Sequence, residues 1–257
     1  MPFILVNGLK TFYEEKGKGK ALILIHGAGG FGGYWVRQFS GLSKNRRVIA
    51  IDLPGHGKSE RLKEKVSIEG YVDHVAAFMK QMKLDKAVIV GHSMGGLVVQ
   101  QLALKHPELC DKIIIAESGA RFSVPSEYPK FVLSEGFDPR DLLYMAFSEK
   151  TILNNPALLQ ELVSLQGANF DFRVIADDFS AIGKLDLSKK IKQIAVPTLI
   201  IVGLDDRMTP QDMAKYLHEQ IKGSKLVTIP DAGHMAMMEK PDEFNDAILK
   251  FIDQWFA

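Results

Sequence analysis

The sequence holds a single cysteine in 257 residues, so no internal disulfide can form. Cys110 is expected as a small buried filler rather than a reactive thiol. Charge of one sign is also lacking. The 32 Lys and Arg offset 31 Asp and Glu to leave a net charge of +1, which gives no electrostatic footprint for nucleic acid or an anionic membrane. Lys18, Lys20, Lys63 and Lys65 lie in short turn-like stretches and are expected as solvated surface. No apolar run reaches membrane-spanning length, so no transmembrane segment is expected. The opening Met1-Pro2-Phe3-Ile4-Leu5-Val6 meets Asn7-Gly8 at once and does not resemble a signal peptide. With one thiol and no leader, a reducing cytoplasmic location is the expectation. Neither H-E-x-x-H nor a Cys/His cluster appears, which removes the common zinc frameworks. There is no G-x-x-x-x-G-K-[ST], and no G-x-G-x-x-G opens a helix with an acid at the right distance, so nothing points to a nucleotide. No metal and no cofactor is expected.

What is present is an ordinary globular composition, 46% hydrophobic and 25% charged. A chain of this length buries roughly 70–75% of its unfolded surface, enough for a three-layer core. Phe3–Val6, the Asn7-Gly8 turn and Leu9–Glu14 read as a hairpin, since Asn-Gly suits a type I′ turn. Ala21–Ile25, Arg47–Asp52, Lys86–Val90, Lys112–Ala116, Thr198–Val202 and Lys225–Ile229 are short apolar runs of the kind that form buried strands. Helical stripes alternate with them: Ser67–Met82, with Ser67 as N-cap and Tyr71, Val75, Phe78 and Met82 on one face, and a last helix opening at Pro241 with Phe244, Ile248, Phe251 and Trp255 together. The predicted fold is α/β, a mostly parallel central sheet of about eight strands flanked by helices. From about Arg121 to Lys190 the alternation stops, and Pro139–Phe147, Pro156–Leu165 and Asp171–Ile182 read as helices. They are expected to form a helical cap (121–190) inserted after the sixth strand, over a core made of 1–120 and 191–257. No Gly/Ser linker, repeat or low-complexity tract separates the two.

Gly91-His92-Ser93-Met94-Gly95-Gly96 places a serine between a strand and a helix. Gly91 and Gly95 permit a tight bend that holds Oγ out at the carboxyl edge of the sheet, as in the G-x-S-x-G nucleophile elbow. A serine hydroxyl needs a base, and seven histidines are available. His92 is adjacent, but side chains diverge at a sharp bend. His74 falls in a helix, and His106 and His218 lie at or near helix ends, so surface or capping roles are expected for these. His234 follows a strand and the turn Pro230-Asp231-Ala232-Gly233, which puts it in a loop at the same sheet edge. The base needs an acid to fix its tautomer; Asp205, Asp206 and Glu117 each follow a strand at that edge and stay open as candidates. An oxyanion needs two donors. Met94 N–H, in the first turn of the helix, is one, and the loop His26-Gly27-Ala28-Gly29-Gly30 can supply the other.

With Asp52-Leu53-Pro54-Gly55-His56-Gly57-Lys58-Ser59, Gly203-Leu204-Asp205-Asp206 and Gly233-His234 added, five motifs stand in the order of the α/β-hydrolase family, which the chain resembles over almost its whole length. The resemblance implies Ser93 as nucleophile, His234 as base and Asp206 as acid, three residues after the glycine that ends its strand. It also implies Ala28 N–H as the oxyanion donor beside Met94, with His26 and the Pro54-Gly55-His56-Gly57 turn as structural supports. A serine at the elbow separates the chain from the haloalkane dehalogenase and epoxide hydrolase branches, which use aspartate there. His92 is similar to the esterase and monoacylglycerol-lipase branch. The carbon–carbon bond hydrolases often have asparagine there and an arginine in the cap, and Arg121, Arg140 and Arg173 keep that branch open.

The cap is rich in aromatics (Phe122, Phe131, Phe137, Tyr144, Phe147, Phe170, Phe172 and Phe179), most of them expected to pack the cap's own core. Met94, Met235, Met237 and Met238 are expected to give a pliable apolar wall. The expected partner is therefore a small-molecule ester, largely apolar, with a short to medium acyl chain. Cleavage of a carbon–carbon bond or enol lactone in a ring-cleavage product is the alternative, with cofactor-free acyl transfer or perhydrolysis as a variant. A hydrolase-fold ligand receptor is the remaining reading from another class.

Overall fold

The chain opens with a hairpin of β1 (Phe3–Val6) and β2 (Leu9–Lys16). Asn7 and Gly8 between them both have positive φ, 50° and 82°, as a type I′ turn requires. In this computed structural model, which describes residues 2–62, 65–167 and 171–253, β2 runs antiparallel to β4 (Arg47–Ile51). From β4 inward the pairing is parallel, through β3 (Ala21–Ile25), β5 (Ala87–His92), β6 (Cys110–Ala116), β7 (Thr198–Gly203) and β8 (Lys225–Ile229). The order across the sheet is β1-β2-β4-β3-β5-β6-β7-β8. This is the expected α/β fold with eight strands. Lys63, Phe170 and Trp255, for which the sequence gives expectations, lie outside the described residues.

Alternation along the strands divides the core in two. Ile23 and Ile25 of β3, with Ile49 and Ile51 of β4, pack with Tyr71, Val75 and Phe78 of α2 (Ile68–Gln81) and with Leu97 and Val98 of α3 (Met94–Lys105). Leu22, Leu24, Val48 and Ala50 point the other way, onto α1 (Val36–Leu42) and the last helix. Side chains at i and i+2 share a face and those at i+1 take the other, so parallel strands covered on both sides are apolar throughout. Ser67 caps α2 by accepting from Gly70 N–H at 3.0 Å. His74 corrects an expectation, for it is buried rather than on the surface. It lies beside Val75 on the inner flank of α2, with Nε2 3.0 Å from Thr11 Oγ1 of β2.

Among the described residues, β6 is followed by the α-helices α4 (Tyr128–Val132), α5 (Pro139–Ala146), α6 (Glu149–Asn154), α7 (Pro156–Gln166) and α8 (Phe172–Ile182). Proline or a side-chain cap opens each of them, Asp138 on α5, Ser148 on α6 and Asp171 on α8 being the caps. They form the helical insertion after the sixth strand. The chain then completes the sheet through α9 (Gln211–Gln220), the short α10 (Ala236–Glu239) and α11 (Pro241–Asp253). Val132, Ile175 and Ala176 make a small core within the insertion, with Tyr128, Phe137 and Phe179 against it. Leu143, Phe147, Leu158 and Leu162 instead join the second face of the main core. Among the described residues no helix is long and apolar enough to cross a membrane.

Candidate active site

β5 delivers the chain into a bend whose backbone few residues tolerate. Ser93 has φ 53° and ψ −117° and is immediately followed by α3. Gly91 and Gly95 make this geometry possible. A Cβ at Gly91 would strike the carbonyl of Gly95, and a Cβ at Gly95 would strike the carbonyls of Ile25 and His26 at the end of β3. Such a φ in a serine is strain held by its surroundings. Ser118 Oγ, just beyond β6, donates to Ser93 O at 2.8 Å, and Gly96 N–H donates to the same carbonyl at 2.9 Å. Met94 begins α3, where a helix leaves its first amides without an intrahelical acceptor.

The loops after β7 and β8 bring the next two side chains together. His234 Nδ1 lies 2.9 Å from Asp206 Oδ2. The remaining acceptor positions of Asp206 are filled by Met208 N–H and Thr209 N–H at 2.8 Å and Thr209 Oγ1 at 2.7 Å. Burial pushes this carboxyl up, but the facing imidazole and these donors outweigh it and hold Asp206 below its ordinary range. An ionised Asp206 accepts from Nδ1–H, which leaves Nε2 of His234 as the free basic nitrogen. The two competing carboxylates behave otherwise. Asp205 is exposed. Glu117 is fully buried at φ 44°, and neither of its carboxyl oxygens finds a hydrogen bond. Burial first, then the neighbouring Asp206 and Glu239, push its pKa well up, so it sits there neutral.

His92 is packed away from its neighbour, as divergence at the bend predicts. Its Nε2–H donates to the carbonyl of His234 at 2.7 Å. Burial and the facing His234 push its pKa down to about 3, so it is neutral and braces the His234 loop. Glu239 braces that loop from the other side by accepting from Gly233 N–H at 2.7 Å, while also accepting from Ser148 N–H and Oγ of the insertion. His26 donates from Nδ1 to Gly27 O at 2.8 Å and accepts from Leu53 N–H on Nε2 at 3.0 Å. With both ring nitrogens committed it holds two loops together.

Ser93, His234, Gly27, Ala28 and Gly29 all line one cavity of about 830 Å³. Ser93 and His234 share its wall without a hydrogen bond between them. Site hydrogen bonds of this kind are often loose without substrate and tighten when it binds. The insertion supplies the opposite wall through Tyr128, Leu142, Leu143, Ile175, Phe179 and Ile182. Of the aromatics of the insertion, Phe122 and Phe179 line the cavity, Phe147 is fully buried, and Phe131, Tyr144 and Phe172 are exposed. The expected methionine wall needs correction. Met235 lines the cavity, but Met94, Met237 and Met238 pack into the core, and Met145, Met208 and Met213 take their place. The side chain of a residue beside the elbow turns inward under α3, which sequence adjacency does not reveal. Arg140 is tied to Asp138 and lies outside the cavity, as does exposed Arg173, whereas Arg121 and Arg207 reach it. Among the described residues no cluster of metal-ligating side chains occurs.

A family model of the alpha/beta hydrolase fold matches residues 20–241. The chain is 27% identical to the 2-hydroxy-6-oxo-6-(2'-aminophenyl)hexa-2,4-dienoic acid hydrolase of Metapseudomonas resinovorans, covering 98% of this chain and 90% of that one. The enol-lactonase of Burkholderia xenovorans superposes with a TM-score of 0.91 at 27% identity, over 98% of this chain and 99% of its own. A thermophilic esterase from Thermogutta terrifontis superposes with a TM-score of 0.90 at 25% identity, over 98% and 97%. Sheet order, elbow and family match agree: the chain belongs to the alpha/beta hydrolase family and is a hydrolase.

Proposed function

We propose that this hydrolase cleaves carboxylic esters through an acyl-enzyme, with Ser93 as nucleophile, His234 as base and Asp206 as acid. The observation that carries this reading is the 2.9 Å contact of His234 Nδ1 with Asp206 Oδ2, made by an imidazole that shares a cavity with a strained, elbow-borne serine. Ser93 Oγ attacks the ester carbonyl and its proton passes to His234 Nε2. The oxyanion is held by the N–H groups of Ala28 and Met94. The alcohol leaves with the proton from His234, and water repeats the sequence on the acyl-enzyme. Gly29 and Gly30 have their own amides committed, to Asp178 and to Gly27 O, which supports Ala28 as the donor of that loop.

The wall of the cavity supports a largely apolar ester of short to medium acyl chain. Both arginines that reach the cavity have partners. Arg207 donates to the carbonyls of Tyr144 and Phe147, and Arg121 is bridged through its backbone to Asp186, whose carboxyl its charge helps hold down. A second reading, hydrolysis of an enol lactone or a dienoic ring-cleavage product, is favoured by Arg121 at the wall and by the activities named for two of the similar proteins. Turnover on a p-nitrophenyl ester series set beside a dienoic acid separates the two. Clear preference for the dienoic acid overturns the ester assignment. Ser93→Ala is expected to lower ester turnover by about 10⁶-fold if the three residues act as a unit, and a near wild-type rate in that variant would defeat the mechanism.

A further inference from the structure

Asp178 lies on α8 of the insertion, fully buried, yet its carboxylate serves only the core. Oδ2 accepts from Gly29 N–H at 2.8 Å and faces His56 Nε2 at 2.8 Å, while Oδ1 accepts from Tyr71 OH at 2.7 Å. The other nitrogen of His56, Nδ1, faces Pro54 O at 3.2 Å. A carbonyl and a carboxylate can only accept, so both ring nitrogens donate and His56 is an imidazolium. Burial opposes that charge, but the Asp178 carboxylate outweighs burial and raises the His56 pKa. One carboxylate thus gathers the loop after β3, the turn after β4 and helix α2 onto α8.

The position of Gly29 makes this more than an anchor. It directly follows Ala28, and its φ of +61° belongs to no helix or strand that would hold its peptide plane. The side chain of Ile175, one turn before Asp178, covers it so closely that a Cβ at Gly29 would run into it. Ile175, Phe179 and Ile182 present the same helix to the cavity. We propose that Asp178 is a positioning residue, which couples the apolar wall of α8 to the aim of the Ala28 N–H: it fixes the Ala28–Gly29 peptide on one side of the Ala28 Cα, while His26 and Gly30 N–H hold the carbonyl of the Gly27–Ala28 peptide, which carries that N–H, on the other. Seating of the acyl chain against α8 and assembly of the oxyanion site are then one event. The proposal rests on the ester-hydrolase reading, in which Ala28 N–H binds the oxyanion.

The test compares kcat, KM and fluorophosphonate labelling for wild type, Asp178→Ala, Asp178→Asn and Tyr71→Phe on one p-nitrophenyl ester. A misaimed donor acts on the transition state, so Asp178→Ala is expected to lose about 10²-fold in kcat with KM little changed. Asparagine keeps an oxygen for Gly29 N–H and is expected to restore most of that loss. Tyr71→Phe removes a donor from the same carboxylate without touching Gly29, and is expected to lower Tm while kcat holds. A folded Asp178→Ala enzyme with wild-type kcat overturns the proposal, as does an asparagine variant no better than alanine. Should Asp178→Ala not fold, Asp178→Ser replaces it. Serine is too short to reach Gly29, so a serine variant that matches asparagine in kcat also overturns the coupling. Failure of the underlying reading looks different, because wild type itself would then fail to cleave the ester, whether or not Ser93 takes the label.

Discussion

At the scale of single residues, the three acids at the sheet edge have environments that set their roles apart. Asp206 is ionised and saturated with donors, and one of those donors is His234. Glu117 is neutral, buried and partnerless. Asp206→Asn is therefore expected to lower kcat by about 10⁴-fold, because an amide in place of the carboxylate selects the wrong imidazole tautomer. Glu117→Gln changes a neutral acid into a neutral amide and is expected to leave kcat near wild type. Steady-state kinetics on one ester checks both, and reversed outcomes would move the acid to the end of β6. Much of this was legible beforehand. Ser93, His234 and the Ala28 loop each carry a local signature, a glycine-flanked turn directly after an apolar strand. The choice among Asp205, Asp206 and Glu117 was open to the residues alone, and only the family resemblance pointed to Asp206, since the choice depends on which carboxylate faces an imidazole from another loop. Asp178 carried no signal at all. Its three partners are 107 to 149 residues away along the chain, and its helical neighbours look like any amphipathic stripe.

At the scale of elements, local chemistry and packing contribute separately, and they were not equally visible. Ser67 has an extended backbone and accepts from Gly70 N–H, so Ser67→Ala is expected to lower stability by about 1 kcal/mol with activity retained; a urea midpoint series reads this directly. Gly95 differs, because no propensity argument applies to it. It lies where α3 presses against the carbonyls that end β3. Gly95→Ala must push helix from strand and tilt the elbow, so it is expected to cost activity far more than its one methyl implies; an alanine variant with unchanged kcat and Tm would show that the elbow yields freely. β-branched runs made the strands readable to within about two residues, and the caps made α2 and α11 readable. The helices α1, α4, α6, α9 and α10 were missed. α9 has no side-chain cap, and α10 is a single turn, so packing of Ala214, Leu217 and Met237 against the sheet determines them more than local sequence does.

At the scale of the whole molecule, burial of histidine makes stability depend on acid in a window where most exposed carboxylates are still ionised. Burial pushes His74 down to about 4 and His92 down to about 3, against 6.5 when exposed, and His26 is lowered too. Each of these groups binds its proton more readily once unfolded. Their contribution is complete above pH 6.5 and is lost as pH falls toward the folded values. Between pH 6.5 and 4, His74 and His92 each forfeit about 3 kcal/mol, together comparable with the roughly 5–15 kcal/mol that holds a typical domain folded. His56 has the opposite sign. Its folded pKa is raised, so its contribution is present below 6.5 and is lost as pH rises through that higher value. Three lowered histidines outweigh one raised one on the acid side, the raised carboxyls of Glu117 and Asp52 offset part of the loss, and the molecule is expected to be less stable at pH 4 than at pH 7. His74→Gln isolates one share of this, since its amide can donate to Thr11 Oγ1 as the imidazole does but cannot take up a proton. Urea unfolding at closely spaced pH values between 7 and 4.5 is expected to show the acid slope of this variant reduced by about 1.4 kcal/mol per pH unit below the exposed histidine pKa. A slope equal to that of wild type would mean that His74 is already solvated in the folded protein, and that the packing of α2 on β2 leaves its ring open to water.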